Sequence, residues 1–155
     1  MQPFGITSTG QGTQIVDPLH PDVIKLMTAR KPYKLRVPLI WAAPRTIGNQ
    51  IETATPQRKF DLLILGARSA LNYSLVRLKN DKTDDYYSNE FVEIFSLTGG
   101  AASDRQEYQW ESFIWLPSNT QLIVSAQLGE TTPGSGTPEP DGSIVFDCVV
   151  INANG

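Results

Sequence analysis

"FDLLILGARSALNYSLVRLKN" (Phe60–Asn80) holds the two patterns on which the fold turns. "FDLLILGA" is short, apolar and ends in Gly66, which predicts a strand covered on both faces. "LNYSLVRLK" alternates through Leu71, Tyr73 and Leu75, then shifts phase to Val76 and Leu78. A shift of one residue is what a β-bulge, or a strand crossing between sheets, produces.

Similar patterns extend outward from this stretch. "KLRVPLIW" places Leu35, Val37, Leu39 and Trp41 on one side, and Pro38 assigns it to an edge or a bulge. "TIGNQIET" reads as a weak strand with Ile47 and Ile51 inward. "EFVEIFSL" reads as a strand with Phe91, Phe95 and Leu97 on one face and Val92 and Ile94 on the other. "EYQWESFIWL" puts Tyr108, Trp110, Ile114 and Leu116 opposite Phe113 and Trp115. "PSNT" is a turn in which Asn119 tolerates a left-handed backbone, so this strand and "QLIVSAQLG" are expected to form a hairpin. In the latter, Leu122, Val124, Ala126 and Leu128 face inward. "SIVFDCVVI" closes the chain with Ile144, Phe146, Cys148 and Val150 on one face.

Seven or eight short strands, separated by turn signals and without a long helix, predict an all-β fold. The expected architecture is an antiparallel β-sandwich of jelly-roll type. An immunoglobulin-like sandwich is the runner-up, although its Cys…Trp…Cys spacing is absent. The expected organisation is an N-terminal arm with one short helix over residues 1–33 and a sandwich over 34–155. The first sixteen residues carry no charged side chain, and "DPLHP" (17–21) is a stiff turn. "PDVIKLMTAR" offers one or two helical turns, too short to be stable unless packed.

Composition narrows the functions. A chain of 155 residues with 40% apolar side chains supports one core. The net charge of −3 argues against sequence-independent binding of nucleic acid. Arg30, Lys31, Lys34 and Arg36 fall within seven residues and read as the solvated flank of a strand. The opening residues lack the basic start and apolar core of a signal peptide, and no apolar run is long enough to cross a bilayer. The expectation is a soluble chain made in a cytoplasm, with no membrane partner.

Chemical motifs are sparse. His20 is the only histidine and Cys148 the only cysteine, which leaves neither a Cys–His pair with strand context nor a zinc ligand set. Cys148 alternates inward and reads as a small core residue. Asp81, Asp84 and Asp85 lack the spacing of a calcium loop and read as a solvated loop. Glu93, Glu107 and Glu111 fall on strands, yet nothing pairs two of them for glycoside hydrolysis. No cofactor, no metal and no catalytic residue is expected.

The segments "KFDLLILGARSALNYSLVRLKN" and "YQWESFIWLPSNTQLIVSAQLG" resemble small β-sandwich structural proteins of tailed bacteriophages. The resemblance covers roughly residues 34 to 151. It implies a virion component assembled in the host cytoplasm: a capsid decoration (cement) protein, or a neck, collar, tail-adaptor or fibre protein. It also implies a homo-oligomer, a trimer or larger ring, that grips other virion proteins through extended arms. The expected contacts are Phe4, Ile6, Ile15 and Val16 of the arm, Pro133 and Pro138 of the Gly/Pro-rich loop at 129–142, and the aromatics Tyr86, Tyr87 and Trp115. The alternative is a carbohydrate-binding sandwich for host recognition, in which Tyr86, Tyr87 or Trp115 stacks on sugar rings.

Overall fold

A computed structural model describes residues 14–16, 19–21, 31–82, 86–98, 110 and 113–151. Among them are nine strands and one helical turn: β1 (Gln14–Val16), β2 (Pro32–Leu39), β3 (Gln50–Ala54), β4 (Asp61–Ser69), β5 (Leu75–Asn80), β6 (Val92–Glu93), α1 (Phe95–Thr98), β7 (Phe113–Leu116), β8 (Leu122–Gln127) and β9 (Gly142–Ile151).

The strands form two antiparallel sheets, ordered β1-β7-β4-β9-β2 and β3-β8-β5-β6. From β2 onward the chain crosses between sheets at every connection except β5–β6, which pair within one sheet, as in a jelly roll: β2, β4, β7 and β9 lie in one sheet, β3, β5, β6 and β8 in the other. The all-β sandwich expected from the sequence is the observed fold. β1 adds a fifth strand to the first sheet, with Gln14, Ile15 and Val16 opposite Trp115, Ile114 and Phe113.

β4 is the middle strand of the five-stranded sheet, and Asp61 to Ala67 are all buried. Leu62 and Ile64 face the opposing sheet and join the main core with Leu39, Leu116, Leu122, Ile144 and Phe146. Leu63 and Leu65 face the other way, in a second buried cluster with Phe113, Trp115, Val149 and Ile151. The apolar run of residues 62–65 therefore supplies both faces. Each fully buried side chain of this size contributes about 1.5–3 kcal/mol.

Gly66 does not end the strand. Ile64 pairs with Cys148 and Gly66 with Asp147, so Leu65 is an extra, bulged residue. The bulge resets the alternation, returning Ala67 to the core and sending Arg68 outward. The phase shift further on is the other predicted feature. β4 ends at Ser69 and β5 starts at Leu75 in the opposite sheet, so the shift marks a crossing between sheets.

Two local expectations are corrected. "EFVEIFSL" forms only the two-residue β6 and then turns into α1, with the N–H groups of Leu97 and Thr98 donating to Ile94 O. Ile94, Leu97 and Thr98 fit a helical spacing as well as a strand, and burial of Ile94 decides for the turn. β7 and β8 are not a hairpin, because they belong to different sheets. The turn between them does have Asn119 at φ 62°, in the left-handed region. Its polar groups bond to Arg58 of the β3–β4 loop and to Asp61, the first residue of β4, instead of across a strand pair.

The remaining strands follow their alternation. Leu35, Val37 and Leu39, then Leu122, Val124, Ala126 and Leu128, then Ile144, Phe146 and Cys148 are buried. β2 is an edge strand, as Pro38 requires. Ile51 packs on the core, whereas Ile47 is exposed in the preceding loop. Residues 22–30, most of the expected helix, lie outside the described residues, as do Tyr108, Glu107 and Glu111.

Candidate functional site

Among the described residues Arg58 is the one buried cation. The β3–β4 loop carries it under the β7–β8 turn, where Nη1 donates to Thr120 O (3.0 Å) and Nη2 to Leu116 O (2.8 Å) and Pro117 O (2.9 Å). Burial lowers its pKa from the ordinary value, and the charge of Asp61 acts in the opposite sense. Asp61 accepts the Ser118 N–H (2.7 Å) and the Trp115 indole N–H (3.1 Å). One cation on the carbonyls and one carboxylate on the N–H groups thus fix a turn that joins the two sheets.

Glu139 performs the equivalent task on the β8–β9 loop. It is 5% exposed, and its carboxylate accepts the backbone N–H groups of Asn72 (3.0 Å), Tyr73 (3.0 Å) and Ser74 (2.6 Å). Around it, Glu139 N donates to Gly129 O, Gly129 N to Ser74 Oγ, and Arg45 to Glu139 O. A Cβ on Gly129 would stand 2.2 Å from Tyr73 O, so this close approach requires glycine. Beyond this base, residues 131–137 are exposed. The tip has internal bonds, Thr131 N to Thr137 O and Ser135 N to Thr132 O, and positive φ at Gly134 and Gly136. It is a preformed, uncharged projection.

The predicted contact residues divide. Pro133 is exposed on that tip, and Pro138 is half-buried at its base, bridged to Glu130. Tyr86 is 41% exposed, with the Arg77 guanidinium 3.6 Å from its ring centroid. Arg77 is itself held by the carbonyls of Ser88 and Asn89. Tyr87 is half-buried against the main core, and Trp115 is 7% exposed in the second cluster. Buried in that way, Trp115 offers no surface to a partner of the folded chain, and only Tyr86 of the three rings stands open. Ile15 and Val16 lie in β1 on this chain's own β7. Phe4 and Ile6 are outside the described residues.

The outer face near β2 is cationic. Arg36 and Arg68 lie on either side of Val145, and Lys34 and Arg68 both pair with Asp147. Behind this face, burial and then Asp147 push the Cys148 thiol up to about 12, so the sulfur stays protonated and inert. Asp81 accepts the Gln121 N–H, while Asp84 and Asp85 lie outside the described residues. Glu93 is exposed on β6, and His20 is half-exposed. Among the described residues no group of three or more His, Cys, Asp or Glu side chains gathers to hold a metal ion.

Sequence reasoning missed Arg58, Glu139, Arg68 and Asp147 as organising groups. Asp147 had a signal, as a charge at an outward position of an apolar strand. Arg58 and Glu139 lie in loops, where no periodicity marks them. No protein-family model matches this chain, and neither a curated protein nor a solved structure matches it.

Proposed function

We propose that this chain is a structural virion protein: a jelly-roll decoration (cement) protein of a tailed bacteriophage that binds and stabilises neighbouring capsid subunits. The observation that carries the reading is the strand order, β2-β9-β4-β7 facing β3-β8-β5-β6, a connectivity used by viral capsid domains. Fold by itself does not assign function. The disposition of charge adds to it: Arg58, Asp61 and Glu139 hold backbone groups, and what projects is the loop tip at 131–137.

The mode of attachment is physical, and no reaction is assigned. β1 docks on β7 by backbone pairing, so the proposed contact with other subunits is assigned to the sequence that precedes β1. The β8–β9 tip is already shaped, so little ordering cost opposes its contacts. Repetition around a symmetric particle multiplies weak contacts into firm attachment. Deleting residues 1–12, which spares β1, is expected to leave the melting temperature unchanged and remove the protein from purified particles on a gel. Incorporation of the truncated chain at the wild-type level rejects the arm's role.

Lectin domains share the jelly roll, and Tyr86, exposed and backed by Arg77, favours a second reading as a carbohydrate-binding sandwich. Glycan-array binding lost in Tyr86→Ala supports that reading; array silence of the wild type removes it.

A further inference from the structure

The outer face of the five-stranded sheet changes character along its strands. Toward Ile151 it carries the second buried cluster, and toward Gly142 it is cationic. Arg36, Val145 and Arg68 stand side by side on β2, β9 and β4. Two residues along, Asp147 lies between Lys34 and Gly66. The side chains of Lys34 and Arg68 are 58% and 49% exposed, Arg36 is exposed, and Val145 is half-buried. Asp147 accepts from Lys34 through Oδ1 and from Arg68 Nε through Oδ2 (2.8 Å). Arg36 has no ion-pair partner among the described residues. Asp61 is the only other carboxylate of these three strands, and it is buried under the β7–β8 turn. Three cations against one carboxylate leave this face at +2 in a chain of net charge −3.

We propose that this face docks an acidic segment of a neighbouring virion protein, Arg36 and Arg68 taking its carboxylates on either side of Val145. The inference names a partner chemistry for the assembly reading above and rests on that reading. Arg68 reaches Asp147 through Nε, so its terminal nitrogens remain for a two-point contact with a carboxylate. Asp147 thereby orients Arg68 and Lys34 before any partner arrives. Arg36 and Arg68 are two strand spacings apart, about 9–10 Å, and Lys34 and Arg36 are about 7 Å apart along one strand. Carboxylates spaced along a protein segment meet such a pattern, and Val145 gives the contact an apolar centre. A phosphate backbone fits less well, because it brings closely spaced charges onto Asp147 and toward a chain that is acidic as a whole. Exposed contacts of this kind set orientation and weaken with salt.

The test is fluorescence anisotropy of a labelled peptide of alternating Glu and Val, titrated with the full chain at about 50 mM salt. Wild type is expected to bind it, and to bind the same peptide with Gln for Glu at least about ten-fold more weakly. Arg36→Glu/Arg68→Glu is expected to lose at least about ten-fold in affinity for the acidic peptide. Lys59→Glu/Lys82→Glu makes the same change of net charge at exposed positions elsewhere, and should stay within about two-fold of wild type. All four positions are exposed, so circular dichroism should report the native fold in both variants. No binding by wild type, or equal losses in the two variants, overturns the docking surface. A single-stranded oligonucleotide that binds wild type more tightly than the peptide, and is released by Arg36→Glu/Arg68→Glu, overturns the acidic protein partner in favour of nucleic acid. In purified particles, Arg36→Glu/Arg68→Glu at the wild-type level overturns this inference and leaves the virion reading standing. Absence of the wild type itself from particles is the failure of that reading, and is seen separately from the peptide result.

Discussion

Glu139 and Arg58 satisfy backbone groups of opposite polarity, and each fixes a connection that periodicity cannot specify. Glu139→Ala leaves the N–H groups of Asn72, Tyr73 and Ser74 without their acceptor. The expected cost is about 3 kcal/mol in urea unfolding, with faster proteolysis inside residues 131–137. An unchanged midpoint together with unchanged cleavage contradicts the anchoring role. Cys148 gives a pH signature of its own. Its folded pKa of about 12 lies above the ordinary 9.0, so the folded state retains the proton longer. The contribution is complete below pH 9 and is lost as pH rises toward 12. Over that window wild type should lose stability more steeply with rising pH than Cys148→Ala. Equal slopes for the two proteins contradict it.

At the scale of elements, β4 tests the reading of "DLLILG" as a strand buried on both faces. Leu62→Ala and Leu63→Ala remove side chains from opposite faces, and each should cost about 2–5 kcal/mol in denaturant unfolding. A strand covered on one side only would make one of them nearly neutral. β8 and β9 were legible because burial imposes a period that their residues obey, down to Leu128 and Cys148, and β4 because an unbroken apolar run marks a strand covered on both faces. The phase shift at Leu75 and Val76 was legible too, but it left a bulge and a crossing between sheets open, and the sheet order decides for the crossing. α1 was not, because Ile94, Leu97 and Thr98 satisfy two periods at once and only packing chooses. The β7–β8 connection was half legible. Asn119 announced a left-handed turn, but nothing local tells a hairpin from a sheet-to-sheet corner. The difference lies in Arg58 and Asp61, about sixty residues earlier in the chain.

For the whole molecule, the order of strands in the sheets brings distant segments together. Lys34 and Asp147 meet because β2 pairs with β9, and Arg68 joins them because β4 lies on the other side of β9. The sequence showed a basic run at residues 30–36, yet the cationic flank needs Arg68, which only the sheet order supplies. Of the residues read as contacts, Tyr86 and Pro133 are exposed, while Trp115 is held in a buried cluster that its alternation could not tell from an open face. The central claim is that this jelly roll is a building block of a virus particle. Quantitative mass spectrometry of purified particles tests it most directly. The chain should be present in a fixed ratio to the major capsid subunit, at a copy number consistent with a symmetric arrangement. Its absence from particles, with the whole pool left in the lysate supernatant, contradicts the account.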